Sequence, residues 1–258
     1  MIQHEFAEQV TIILKGNDNV IGLAAAGSWL TNELDEYSDL DLVLVTKEII
    51  GGDKERMLYH ADQFGNLLSA FTGEHVGESR LLICLYDNPL LHVDIKFLTL
   101  EEFEIRVENP VILLDKDNQL QNVMDKTQAK FPMPDLQWIE DRFWTWVHYA
   151  LLKIGRGEYF ETLDFFSFMR MVVIGPLLHL RNNNLPKGVR KVETQLSLPD
   201  FDLLNGTLST NEKTSLLLAL ENIIKLYQSL RKELYKTDII LNKAEASVLE
   251  YYQKIKNS

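Results

Sequence analysis

Apolar residues recur at helical spacing over residues 4 to 15, where Phe6, Val10, Ile13 and Leu14 share a side before the turn residues KGNDN. The run VIGLAAAG follows and predicts a short buried strand. A second strand is predicted over DLDLVLVT, because Leu40, Leu42 and Leu44 alternate with Asp39, Asp41, Val43 and Val45. RLLICLYDNPLLHVDIKFLT predicts two more strands joined by a turn at Asp87-Asn88-Pro89. On the second of these His92, Asp94 and Lys96 fall on one face, and Val93, Ile95 and Phe97 on the other.

Beyond KFPMPDLQW, where two prolines interrupt regular structure, the strand pattern stops. Residues 136 to 154 carry aromatic rings at helical spacing, with a stop expected at Gly155. A second long apolar helix spans 160 to 181, with a kink expected at Gly175-Pro176. Ser209 and Glu212 have the spacing of a capping box ahead of Leu216, Leu217, Leu220, Ile223, Ile224 and Tyr227. Asn242 and Glu245 repeat that signal before a last helix near 243 to 256, and residues 182 to 208 read as a long connection. The expected architecture is an α+β domain over residues 1–130 and an all-α helical bundle over 136–258.

Composition narrows the function without naming it. With 258 residues, 46% hydrophobic and 25% charged, the chain can build a sizeable core. A net charge of −12 argues against a sequence-independent grip on nucleic acid and would suit a cationic partner. Cys84 is the single cysteine and, among apolar neighbours, reads as a small core side chain. The first residues lack the basic and apolar regions of a secretory signal, and no apolar run approaches the length of a membrane span. A cytoplasmic protein without membrane contact is expected.

The chemistry gathers around AAAGSWLTNELDEYSDLDLVLV. Residues i and i+2 of a strand point the same way, so Asp39 and Asp41 present two carboxylates side by side. Like charges that close are costly without a cation or protons between them, and Mg²⁺ prefers oxygen ligands. Turn chemistry at the strand's polar end would also account for the pair, and the pair alone leaves both readings open. Gly27-Ser28 adds a place where backbone can approach closely and amides can receive a phosphate. Asp94 lies inside a strand that can neighbour the first two aspartates. Three such carboxylates facing a phosphate-binding turn suit two-metal phosphoryl-type transfer.

These residues resemble the nucleotidyltransferases of the DNA polymerase β superfamily. AAAGS, then SDLDLVLV, then HVDIKF match that superfamily's strand, Gly-Ser turn, Asp-x-Asp strand and later carboxylate, in order. With its helical second half, the chain is similar to the aminoglycoside and lincosamide nucleotidyltransferases of antibiotic resistance. The resemblance implies a mixed β-sheet with flanking helices, two Mg²⁺ ions held by Asp39, Asp41 and Asp94, and ATP as co-substrate. Gly27 and Ser28 would contact the nucleotide. WVHYALLKIGRGEYFETLDFFSFMR is similar to the group's first two C-terminal helices, whose lysine contacts nucleotide phosphates, and Lys153 matches it. In some relatives a glutamate one turn earlier serves as base, and this chain has Tyr149 there. The stripe Glu140, Trp144 and His148 could supply a general base, but a solvated helix edge with a packed tryptophan is the simpler expectation.

The function implied is transfer of a nucleoside monophosphate, AMP from ATP, to a hydroxyl of a small molecule such as an aminoglycoside-type antibiotic. The alternatives are a non-catalytic nucleotide-binding or protein-interaction module of the same fold, or an adenylyltransferase directed at protein. The expected partners are a nucleoside triphosphate and a small hydroxyl-bearing acceptor, with no nucleic acid; nothing in the sequence sets an oligomeric state.

Overall fold

The computed structural model describes residues 1–31 and 33–257. The chain divides into two compact units, Met1–Phe131 and Pro132–Ser258.

In the first unit, α1 (Ile2–Lys15) leads into β1 (Val20–Ala25) and β2 (Leu40–Thr46). Then come α2 (Lys54–Ala61), β3 (Asn66–Gly73), β4 (Glu78–Asp87) and β5 (Leu91–Thr99). The unit closes with α3 (Leu100–Phe103), β6 (Val111–Asp115) and α4 (Gln119–Lys126). The strands form one sheet in the order β3-β4-β5-β2-β1-β6, mixed because β2 and β5 run parallel while the other neighbours are antiparallel. This is the expected α+β class. Side-chain alternation decides what each face does. Leu40, Leu42, Leu44, Leu82, Cys84, Val93, Ile95 and Phe97 form one face, buried with Val10 and Leu14 of α1 and Met57 and Ala61 of α2. On the other face Ile21, Ala24, Val45 and Leu98 pack with Phe103 and Leu120, so that α3 and α4 shield only part of it. Cys84 is buried, and that burial pushes its thiol up to about 12.

Sequence periodicity located β1, β2, β4 and β5, but β3 and β6 were not foreseen. The strand predicted from Asp39 begins at Leu40, leaving Asp39 one residue outside the ladder.

The second unit is helical: α5 (Leu136–Arg156), α6 (Tyr159–Met169), α7 (Gly175–Arg181), α8 (Val192–Gln195), α9 (Leu198–Asn205), α10 (Lys213–Leu234) and α11 (Glu245–Lys256). Asp135 caps α5 by accepting from the Trp138 amide. The helix runs through Gly155 and stops at Gly157, whose φ of 76° lies in the left-handed region that glycine tolerates. In place of a simple kink at Gly175-Pro176, a π-helical turn at Arg170–Ile174 joins α6 to α7. Pro176 has no N–H to offer the preceding turn, and the wider turn relocates the mismatch upstream.

Four other expectations are corrected. The connection after α7 contains α8 and α9. The Ser209–Glu212 capping box does not form, because α10 starts late enough to put Glu212 at the N-cap itself. Asn242 turns the chain by accepting from the Ala244 amide, while Glu245 pairs with Arg231. Finally, the continuous helical stretch Tyr159–Arg181 is long and apolar enough to cross a membrane by length and composition, contrary to the expectation that none is. Phe166, Met169, Val173, Ile174, Leu177 and Leu178 of that stretch are core residues of this unit.

Candidate active site

The parallel pairing of β2 with β5 sets Asp41 directly opposite Asp94. Residues facing each other across a ladder project to the same side, so two carboxylates from different strands share one face. Both flanks of each aspartate are buried leucine, isoleucine or valine on the opposite face, namely Leu40, Leu42, Val93 and Ile95. The apolar alternation therefore fixes where the carboxylates point.

Burial, as the largest effect, raises the Asp94 pKa, and the negative charge of Asp39 raises it further. His92 works in the other sense, its Nε2 lying 2.9 Å from Asp94 Oδ1. Asp39 is thus electrostatically coupled to Asp94 from its place just ahead of β2.

Gly27 and Ser28 open a single 3₁₀ turn, Gly27–Trp29, directly after β1. Gly27 has φ 61°, and a Cβ there would collide with the Asp41 carboxylate. The Ala26 amide donates to the Asp41 carbonyl at 3.0 Å, which ties this turn to the start of β2. No other residue type gives both that backbone conformation and that approach. The Gly27 amide donates to Glu108 Oε1 at 2.9 Å. A carboxylate oxygen thus already sits on an amide of the turn.

The donor set around Asp41 is carboxylate oxygen, which suits a hard divalent cation, and the absent Cβ of Gly27 leaves the space that the Asp41 carboxylate itself occupies. Asp39, Asp41 and Asp94 therefore fit Mg²⁺ in chemistry. Among the described residues no three His, Cys, Asp or Glu side chains are already gathered in a geometry that could hold a metal ion, and Asp94 is turned onto His92.

Lys153 belongs to α5 in the second unit. Its ammonium is paired with Glu158 at 2.7 Å and Glu161 at 2.9 Å, and stands 5.2 Å from the centre of the Tyr149 ring. Hydrogen bonds to Glu158 and then Glu161 hold its pKa above the ordinary lysine value. Tyr149, which takes the position of the relatives' glutamate, donates its hydroxyl to Glu161. Glu140, expected on a solvated edge, is fully buried and paired with Arg231 at 3.2 Å, and Trp144 is buried beside it. Glu140 and Trp144 are core because α10 and the turn before α11 cover them, whereas His148 is only partly covered and lies beside Tyr251.

Two residues of the site were not foreseen. His92 was given no role by the sequence, although its spacing from Asp94 puts both on one face. Glu108 carries no local signal, since only the pairing of β6 with β1 brings its loop to Gly27.

No family model matches the chain, and no curated protein matches it by sequence. Solved structures similar to it include an aminoglycoside 6-adenyltransferase from Bacillus subtilis, at 16% identity and TM-score 0.41, covering 98% of each chain. A nucleotidyltransferase-like protein from Exiguobacterium sibiricum is similar at 14% identity and TM-score 0.38, over 98% of this chain and 89% of that one. A spectinomycin adenyltransferase from Enterococcus faecialis, solved with ATP and spectinomycin, is similar at 14% identity and TM-score 0.31, over 98% of this chain and 99% of that one.

Proposed function

We propose that this chain transfers a nucleoside monophosphate, AMP from ATP, to a hydroxyl of a small molecule. The observation that carries the reading is the register of β2 and β5, which brings Asp41 and Asp94 to one face beside the Gly27-Ser28 turn. Keeping several carboxylates near each other opposes folding unless a cation joins them, so a structural role accounts poorly for them.

In the reaction, the acceptor oxygen bonds to the α-phosphorus while the bond from that phosphorus to the bridging oxygen breaks and pyrophosphate leaves. Asp39, Asp41 and Asp94 would hold Mg²⁺, which when bound offsets the charge of the triphosphate and makes the acceptor hydroxyl more acidic. The Gly27 and Ser28 amides and the Ser28 hydroxyl receive phosphate oxygens, for which the Glu108 carboxylate must give way at the Gly27 amide. The hydroxyl's proton passes to the Asp94–His92 pair, whose hydrogen bond is already made. Lys153 is the residue that the resemblance assigns to the phosphates. Its two glutamate ion pairs are the contacts a triphosphate would have to replace.

The test is incubation with labelled ATP, Mg²⁺ and a panel of hydroxyl-bearing acceptors, aminoglycosides included, with pyrophosphate measured. Acceptor-dependent pyrophosphate release is expected. Tight ATP binding without release under any acceptor would favour the non-catalytic alternative, and absence of both would sink the reading.

A further inference from the structure

The carboxylate face does not end at Asp94. By register, Phe71 of β3 stands opposite Ile83 of β4, Ile83 opposite Asp94 of β5, and Asp94 opposite Asp41 of β2. A neighbouring row runs Ser69, Leu85, His92 in the same three strands. All of these side chains project to the face that carries the aspartates. Neighbouring strands lie about 5 Å apart, so Ile83 is one strand and Phe71 two strands, roughly 10 Å, from Asp94.

This part of the face is apolar and open. Phe71 is 47% exposed and Leu85 36%, and Ile83 is only partly covered. None of the three joins the apolar clusters that make up the core, whereas their neighbours Leu82, Cys84 and Tyr86, pointing the other way, are buried. Helices α3 and α4 cover the β1–β2 part of the face and leave β3 and β4 bare. From Phe71 through Ile83 the row carries no acidic side chain until Asp94; Asp87 ends β4 beyond Leu85, and the nearest cation on the other flank, Lys96, is engaged with Glu78 at 2.8 Å. An uncharged strip that runs straight into a cluster of carboxylates matches a ligand with two ends of different character.

Resting on the transfer reading above, we propose that Phe71, Ile83 and Leu85 seat an apolar, flat portion of the acceptor while its hydroxyl lies toward Asp94 and Asp41. The acceptor class is therefore an amphipathic hydroxyl compound and not a uniformly polar sugar. A polycation would find its countercharges at the carboxylate end alone, where the aspartates and Glu108 lie, and over the strip it would lose hydration with nothing in return. An aromatic or alkyl body gains there by covering the ring of Phe71 and the branched chains beside it.

The experiment uses the full chain with labelled isoleucine and leucine methyl groups, titrated with 2-phenylethanol and, as a polar polyhydroxyl control, myo-inositol. The expected result is saturable shifts confined to Ile83, Leu85 and their neighbours with 2-phenylethanol, and none with inositol. Phe71→Ser should weaken that binding roughly tenfold, read at Leu85, and a thermal melt checks that the change at this half-exposed position leaves the fold intact. Equal shifts with inositol, shifts scattered over the surface, or no shift would overturn the proposal. So would shifts at these methyl groups that depend on protein concentration alone with a doubled mass in sedimentation, which would assign the strip to a second copy. Saturable binding of 2-phenylethanol in a protein that neither binds ATP nor releases pyrophosphate would support the strip and overturn the transfer reading instead.

Discussion

The two units handle acidic side chains in opposite ways. Residues 1–131 hold 23 Asp and Glu against 10 Lys and Arg, a net of −13, whereas residues 132–258 hold 15 against 16. In the second unit the buried acids have guanidinium partners: Glu140 meets Arg231 at 3.2 Å, and Asp200 is held by Arg181. Tyr227 adds its hydroxyl to Glu140. In the first unit the partner of half-buried Asp94 is a histidine, and Asp39 adds charge of the same sign. A buried acid with an arginine is a structural element that the fold supports. Acids crowded toward one another weaken the fold and are retained where a ligand relieves them.

That contrast can be broken most directly at Glu140. Glu140→Ala leaves Arg231 facing a buried space and takes an acceptor from Tyr227, so a loss of about 3–5 kcal/mol is expected in denaturant unfolding. Arg231 keeps Glu245 at 2.8 Å, which places the result toward the lower end. Asp41→Asn should do the reverse. Pyrophosphate release should fall on the order of 10²–10³-fold, while relief of like-charge repulsion holds the melting temperature or raises it. A melting temperature that collapses in Asp41→Asn would make the aspartate structural and erase the distinction between the units.

The first unit also contains a structural acid that sharpens the comparison. Glu78 is held to about 2, below its ordinary 4.5, chiefly by Arg80 and then by Lys96, with burial opposing them. A depressed carboxyl stabilises the fold fully above about 4.5 and ceases to do so as pH falls toward 2. Glu78→Gln should therefore cost about 1–2 kcal/mol at neutral pH, after allowance for solvent screening, and nothing near pH 2. A constant difference between the two proteins across that range would dissociate Glu78 from its titration.

Much of this was legible in the chain because alternation is a local signal. Leu40, Leu42 and Leu44 alternate with Asp41 and Val43, and Val93, Ile95 and Phe97 with Asp94 and Lys96, so both the strands and the acidic face follow from neighbours two residues apart. The register that sets Asp41 opposite Asp94 is not local, since it joins strands with β3 and β4 between them in the chain. Edge strands were harder still. In β3 only Leu67 and Ala70 pack partly against the core, and the register shift between Leu67 and Ser69 breaks the alternation a reader looks for, while β6 mixes intermediate positions throughout. Glu140 was misjudged because its own helix shows only a polar residue beside a tryptophan. The arginine that buries it lies 91 residues away.

The smallest effect is expected at Ser28, which tests whether the first unit's acids face an anion-binding turn. The residue sits in the 3₁₀ turn after β1, next to the glycine that makes room for Asp41. The N-cap of that turn is Ala26, not Ser28, and no side-chain hydrogen bond caps it. Ser28→Ala therefore removes no hydrogen bond that holds the turn, and the melting temperature should stay unchanged. If the hydroxyl receives a phosphate oxygen, the variant should bind ATP more weakly by about 1 kcal/mol, or roughly fivefold in dissociation constant, because a single hydrogen bond is lost. The backbone amides of Gly27 and Ser28 persist in the variant, which is why the loss stays small. Titration calorimetry with a non-hydrolysable ATP analogue reads the difference directly. An unchanged dissociation constant would mean that the turn meets the triphosphate through its backbone alone, and the acids of this unit would then face an anion held by amides and metal without the serine.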